Sequence, residues 1–189
     1  MNTNNLANQY YLKAWDAYPY NTKDVMEALD YALSYDEEHA PSHCLTAMLY
    51  THQVKSWETA KHHYELALLY DPSYLETYYQ YPYLLMHMGH YSRAKQVILK
   101  GQSTYGVSPY LMIVANATMY ELQGKYDIAI RNHENALLSA LSAEQTQYAK
   151  DSISRIKEKS KPNTPKVEQK EATPKPKMKL LRYLYYMSS

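Results

Sequence analysis

The sequence predicts an all-α fold, a solenoid of stacked helix pairs, and three observations carry that expectation. Trp57, Tyr91 and Tyr126 recur at spacings of 34 and 35 residues. Ala60, Ala94 and Ala129 follow them at three residues, and Ala67, Gly101 and Ala136 lie seven further on. A fourth copy lies upstream in VMEALDYALSYDEE, with Ala32 one period before Ala67. Self-similarity at this length marks repeated supersecondary units, each burying its apolar face on the next rather than on one large core.

Residues 1–40 read as a degenerate first helix pair, with helix A over Ala7–Tyr18, a YPYN loop, and helix B opened by Asn21 and Asp24. Full repeats follow at 41–74, 75–109 and 110–142. Ser73-x-x-Glu76 and Ser142-x-x-Gln145 have the capping-box form. Ser108-Pro109 places an N-cap before a first-turn proline. Over 143–159, Tyr148, Ala149, Ile153 and Ile156 mark one apolar face of a helix that caps the array. Residues 160–177, SKPNTPKVEQKEATPKPK, have the composition of a disordered linker, and 178–189 form an apolar-basic tail. Pro82 falls inside helix A of the third repeat, where it removes a hydrogen bond and predicts a kink.

These positions resemble the tetratricopeptide repeat family over roughly residues 6–142. Pro41–Tyr74 matches best, through Trp57, Ala60, Tyr64, Ala67, Leu68, Asp71 and Pro72. Leu75–Pro109 follows with Tyr78, Gly89, Tyr91, Ala94 and Gly101, and Tyr110–Ser142 with Ala117, Tyr120, Gly124, Tyr126, Ala129 and Ala136. The resemblance implies a right-handed α-α superhelix that holds a protein ligand in a concave groove lined by the A helices. Carried over by register, the groove takes Leu45, Leu49, His52 and Gln53 from the second repeat. The third supplies Tyr79, Tyr83, Met86 and His87, and the fourth Val114, Thr118, Glu121 and Leu122. Relatives that grip a terminal carboxylate use Lys, Arg and Asn there. These positions hold no Lys or Arg, so the expected ligand is an apolar peptide or amphipathic helix.

Composition narrows the function further. The 189 residues include 23 Tyr and no Phe, so buried rings bring hydroxyls that need partners. Cys44 is the single cysteine, which excludes an internal disulfide and suits a reducing compartment. The opening MNTNNLANQ has neither a basic nor an apolar leader region, so the expected location is cytoplasmic. Residues 1–156 hold 11 Lys and Arg against 16 Asp and Glu, while 157–189 hold nine against three. An acidic body argues against nucleic acid as partner.

With four glycines and no G-x-G, G-x-S-x-G or H-E-x-x-H pattern, neither an enzyme nor a cofactor is expected. His39 and His43 are separated by Pro41, which argues against a shared helical face. His52, His87 and Glu121 fall on one register, but polar lining accounts for them better than a metal does. In the tail, Leu180, Leu181, Arg182, Tyr183, Leu184, Tyr185 and Tyr186 suit two roles. The segment is too short to span a bilayer, but it can lie on an anionic membrane or dock into a protein groove, its own included.

Overall fold

The computed structural model describes residues 3–161, and the fold divides after Val107 into two compact units. Every regular element among the described residues is helical. The first unit holds α1 (Thr3–Ala17), α2 (Thr22–Tyr35), α3 (Ala40–Leu49), α4 (Trp57–Tyr70), α5 (Leu75–His87) and α6 (Tyr91–Gln102). The second holds α7 (Pro109–Leu122), α8 (Tyr126–Leu138) and α9 (Ala143–Ser160). Partners are sequence neighbours: α1 packs on α2, α3 on α4, α5 on α6, and α8 between α7 and α9.

The small residues of the repeat are what allow these pairs to approach. Ala60, Ala67, Ala94, Ala129 and Ala136 are completely buried, and Gly101 is buried on α6. Because these positions lack long side chains, a neighbouring backbone and its large rings can close over them. Tyr64 and Tyr81 stack there with centroids 5.1 Å apart, both fully buried. The hydroxyls of several tyrosines reach partners. Tyr78 donates to the Pro72 carbonyl at 2.7 Å, Tyr81 to Glu65 at 3.0 Å, and Tyr110 to the Gln145 carbonyl at 2.7 Å.

Helix starts follow the expected chemistry at three of four places. Asn21 accepts from the Asp24 N–H, Ser108 from Leu111, and Ser142 from Gln145. The Gln145 side chain reaches back to the Leu141 N–H at 2.7 Å. The box expected at Ser73 and Glu76 does not form. Asp71 takes both the N–H and the hydroxyl of Ser73, at 2.8 and 2.6 Å, and α5 starts after Tyr74 without a side-chain cap. An Asp two residues upstream outcompetes the helix for the serine.

One other expectation changes. The first helix starts at Thr3, ahead of Ala7. Pro41 occupies the first turn of α3, where no intrahelical N–H is needed, and His39 and His43 turn to different partners, Asn8 and Ser42 for the first, Glu37 and His63 for the second. His39 is the N-cap of that helix, its Nδ1 accepting from the Ser42 N–H. Around Pro82, α5 runs without interruption from Leu75 to His87. In the second repeat α3 passes into a π-helical turn over Tyr50–Val54. Lys55 then takes φ 64°, the left-handed conformation that Gly89 and Gly124 supply at the equivalent places one and two periods on.

The linker and tail, with Leu180, Leu181, Arg182, Tyr183, Leu184, Tyr185 and Tyr186, lie outside the described residues.

Candidate interaction site

In the first unit the expected groove residues separate into a packed set and a reachable set. Leu45 and Leu49 on α3 and Met86 on α5 are buried, and Tyr79 and Tyr83 nearly so. These five hold helices together. His52 and Gln53 lie on the π-helical turn and are half-buried. Gln53 donates to the Pro19 carbonyl at 2.9 Å and accepts from the Thr22 hydroxyl, so it ties the first loop to the second repeat. Burial, with Lys55 adding to it, pulls His52 down to about 4 and keeps it neutral.

His87 is exposed and meets the edge of Trp57, with ring centroids 4.3 Å apart and planes at 86°. Trp57 is 41% exposed and Val54 is exposed beside it in sequence. Trp57 and His87 therefore form an exposed aromatic pair, with Val54 exposed three residues before the tryptophan. Trp57 entered the sequence argument only as a repeat marker. The signal that promotes it is its position at the mouth of helix B, one residue past the cap, where a bulky ring cannot be covered by its own helix.

In the second unit Val114 is buried, and Thr118 returns its hydroxyl to the Val114 carbonyl at 3.0 Å. Leu122 is 44% exposed. Glu121 is occupied. Arg155 on α9 grips both its oxygens, with Nη2 2.8 Å from Oε2, and Lys159 Nζ lies 2.6 Å from Oε1. Burial alone would raise the Glu121 carboxyl, but the bonds from Arg155 and Lys159 outweigh it and hold the group ionised. The expectation that this wall lacks basic residues is therefore incomplete, because α9 adds two. The signal was present: Arg155 stands one 34-residue period after Glu121, and Ala47, Tyr81, Ala115 and Ala149 keep the same step.

Histidines cluster where α3 meets α4. His43 Nε2 lies 2.9 Å from the Glu37 carbonyl, and a carbonyl only accepts, so that nitrogen carries the proton. The neutral His43 ring then accepts at Nδ1, and His63 Nδ1 donates to it across 2.9 Å. Tyr70 stacks on His43 and Tyr50 on His63. Burial lowers both rings, His63 to about 4, with neighbouring histidines adding to the effect. No group of three or more His, Cys, Asp or Glu side chains among the described residues could hold a metal ion. No helix among them is long and apolar enough to cross a membrane.

With this geometry in view, comparison with known proteins bears on the fold. No protein-family model matches the chain, and no curated protein is detectably similar to it in sequence. Among solved structures it is similar to PilW, described as a widely conserved type IV pilus biogenesis factor. The TM-score is 0.66 at 15% identity, over 82% of this chain and 79% of that one. The chain has a helical-repeat fold. At that identity the likeness speaks for architecture, and the residues that would contact a partner have to be argued from this chain's own surface.

Proposed function

We propose that this chain is a non-catalytic protein-interaction scaffold of tetratricopeptide type, working in the cytoplasm. The observation that supports it most is the helical-repeat fold. Such a fold presents a series of similar helix edges at fixed spacing, which suits holding an extended or helical peptide. In this reading Trp57 is the anchor, and Val54 and His87 flank it. Leu45, Leu49, Tyr79, Tyr83, Met86 and Val114 serve by keeping those helices rigid.

Short Leu- and Tyr-rich peptides, including one copying residues 178–187, should quench or shift Trp57 emission when titrated into the full chain. Trp57→Ala should weaken such binding by about 1–3 kcal/mol, as expected of an aromatic hot spot. Salt should have little effect. Binding that ignores Trp57→Ala and collapses with ionic strength would refute the apolar-edge reading. The second reading is a peripheral tether, resting on Leu and Tyr interleaved with Lys177, Lys179 and Arg182 in the tail. It predicts that the full chain sediments with anionic vesicles and that Lys179→Glu with Arg182→Glu abolishes this.

A further inference from the structure

We propose that the outer face of α2 is the docking site of this chain's basic, aromatic tail, residues 175–186. The inference goes beyond the Trp57 reading and does not depend on it. The distribution of charge selects this occupant. Residues 1–40 hold two Lys against seven Asp and Glu, whereas 41–156 hold nine of each sign. All the net acid of the body therefore sits in the first helix pair. The net base sits in 157–189, and from 172 onward there are four bases and no acid.

The acids of the first helix pair are available to a partner. Asp24, Glu27 and Asp30 are exposed along α2, and Glu37 and Glu38 are exposed just beyond its end. Among the described residues no ion pair occupies Glu27, Asp30, Glu37 or Glu38. Lys23 is the base set among them, while Lys13 Nζ lies 4.6 Å from the ring centre of Tyr10. The same face carries apolar groups, Met26 at 38% exposed, Tyr31 at 47% and Tyr35 at 38%, because the helix packs on α1 and α3 through Val25, Ala28, Leu29 and Ala32. Tyr10 of α1 stacks on Tyr31 with centroids 5.0 Å apart and on Tyr35 at 5.6 Å. Rings held before contact lose little freedom on binding, so most of their apolar burial is kept as affinity.

The tail matches this face in chemistry and in order. Along α2, Asp24, Glu27 and Asp30 come before Tyr31 and Tyr35. In the tail, Lys175, Lys177, Lys179 and Arg182 come before Tyr183, Tyr185 and Tyr186. A tail laid alongside α2 in the same chain direction sets bases against acids while its rings reach the rings of the helix. A phosphate or lipid headgroup meets the wrong sign here, and an uncharged peptide covers the rings but leaves the carboxylates unmatched.

Carbodiimide coupling of the full chain, mapped by mass spectrometry, tests this, because it joins an amine to a carboxylate that lies against it. Lys175, Lys177 and Lys179 should couple to Asp24, Glu27 and Asp30 in preference to the exposed acids Glu58, Glu134 and Glu144 of other helices. Added salt should suppress the products. Tyr31→Ser with Tyr35→Ser keeps every carboxylate and should still lower the yield several-fold, with circular dichroism confirming that the variant is folded. Trp57→Ala should leave it unchanged, which separates this site from the peptide-binding edge. Glu27→Lys with Asp30→Lys should lower coupling by about tenfold. Adding Lys177→Glu and Lys179→Glu to that protein should restore it to within about threefold, with amine and carboxylate exchanged between face and tail. Tail lysines coupled evenly over the exposed acids, an unchanged yield in the tyrosine variant, or a charge-exchanged protein that fails to recover would overturn the proposal. Coupling concentrated at Glu58 would also overturn it and place the tail beside Trp57.

Discussion

Along α2 the solvent-facing positions include Met26, Tyr31 and Tyr35 among charges, whereas along α9 they are Glu144, Gln147, Lys150, Asp151, Ser154 and Lys157. Both helices bury one apolar stripe, α2 through Val25, Ala28, Leu29 and Ala32, and α9 through Ala149 and Ile156. They differ in what they do with the opposite face. Beyond Ala143, every exposed position of α9 is polar or charged. The outward face of α2 instead leaves Met26, Tyr31 and Tyr35 exposed between its charges. The electrostatics differ in the same direction. Glu121, Arg155 and Lys159 fasten α9 to α7 with ionised groups. The first unit depends instead on neutral histidines in its interior.

The largest test of this contrast is acid. Burial lowers His39, His43, His52 and His63 in the first unit, and in the second it lowers His133 to about 4. The ordinary value of 6.5 applies to the unfolded chain, so between about 4 and 6.5 the unfolded state binds more protons. Stability is therefore fully present above 6.5 and falls as pH is lowered toward 4. The charged neighbours divide in sign: Asp36 favours protonation of His39 and His43, while Lys55 opposes it at His52 and His62 opposes it at His43 and His63. With four such groups against one, the first unit should yield at higher pH. Both tryptophans, Trp15 and Trp57, lie there, so their emission should change before half of the far-ultraviolet helix signal is lost. Coincident transitions would show that the histidines do not distinguish the units.

A smaller effect concerns α9. Glu121→Leu should cost about 1.5–3 kcal/mol, since it removes charge-assisted bonds from two partners and leaves Arg155 and Lys159 to repel each other. Amide exchange should accelerate across Ala143–Ser160 first, with the α1–α4 amides unchanged. Equal acceleration in both units would mean that the ion cluster supports more than its own helix.

The smallest concerns Lys55. A side chain at positive φ is disfavoured by roughly 1 kcal/mol or more, offset in part by the entropy glycine loses on folding. Lys55→Gly should raise stability by about 0.5–1 kcal/mol in a urea titration. Gly89→Ala and Gly124→Ala should lower it by a similar amount, since an added Cβ there meets nothing within 4 Å and only the backbone conformation is penalised. Loss of stability in Lys55→Gly would point to the Lys55 side chain, within 3.4 Å of the Thr51 carbonyl, as a true cap of the π-helical turn.

The sequence by itself determined the helices and their pairing. Ala60, Ala67, Ala94, Ala129 and Ala136 repeat in step because two backbones can meet only where side chains are small, and that requirement is written one residue at a time. Local hydrogen-bond chemistry was equally legible at Asn21, Ser108 and Ser142. It failed at Ser73, where Asp71 offered a competing acceptor that capping rules alone do not weigh. Arg155 was legible in principle through the same period, but the polar composition of α9 disguised it as a simple cap. The tertiary structure alone decided which face of each A helix is covered. Leu45, Leu49, Tyr79, Tyr83 and Met86 have the same chemistry whether they wait for a ligand or fill a core. Burial depends on the neighbouring helix across the contact, which periodicity does not encode. The aromatic face of α2 emerged for the same reason: Tyr10, Tyr31 and Tyr35 come from two helices, and only packing stacks them into one surface.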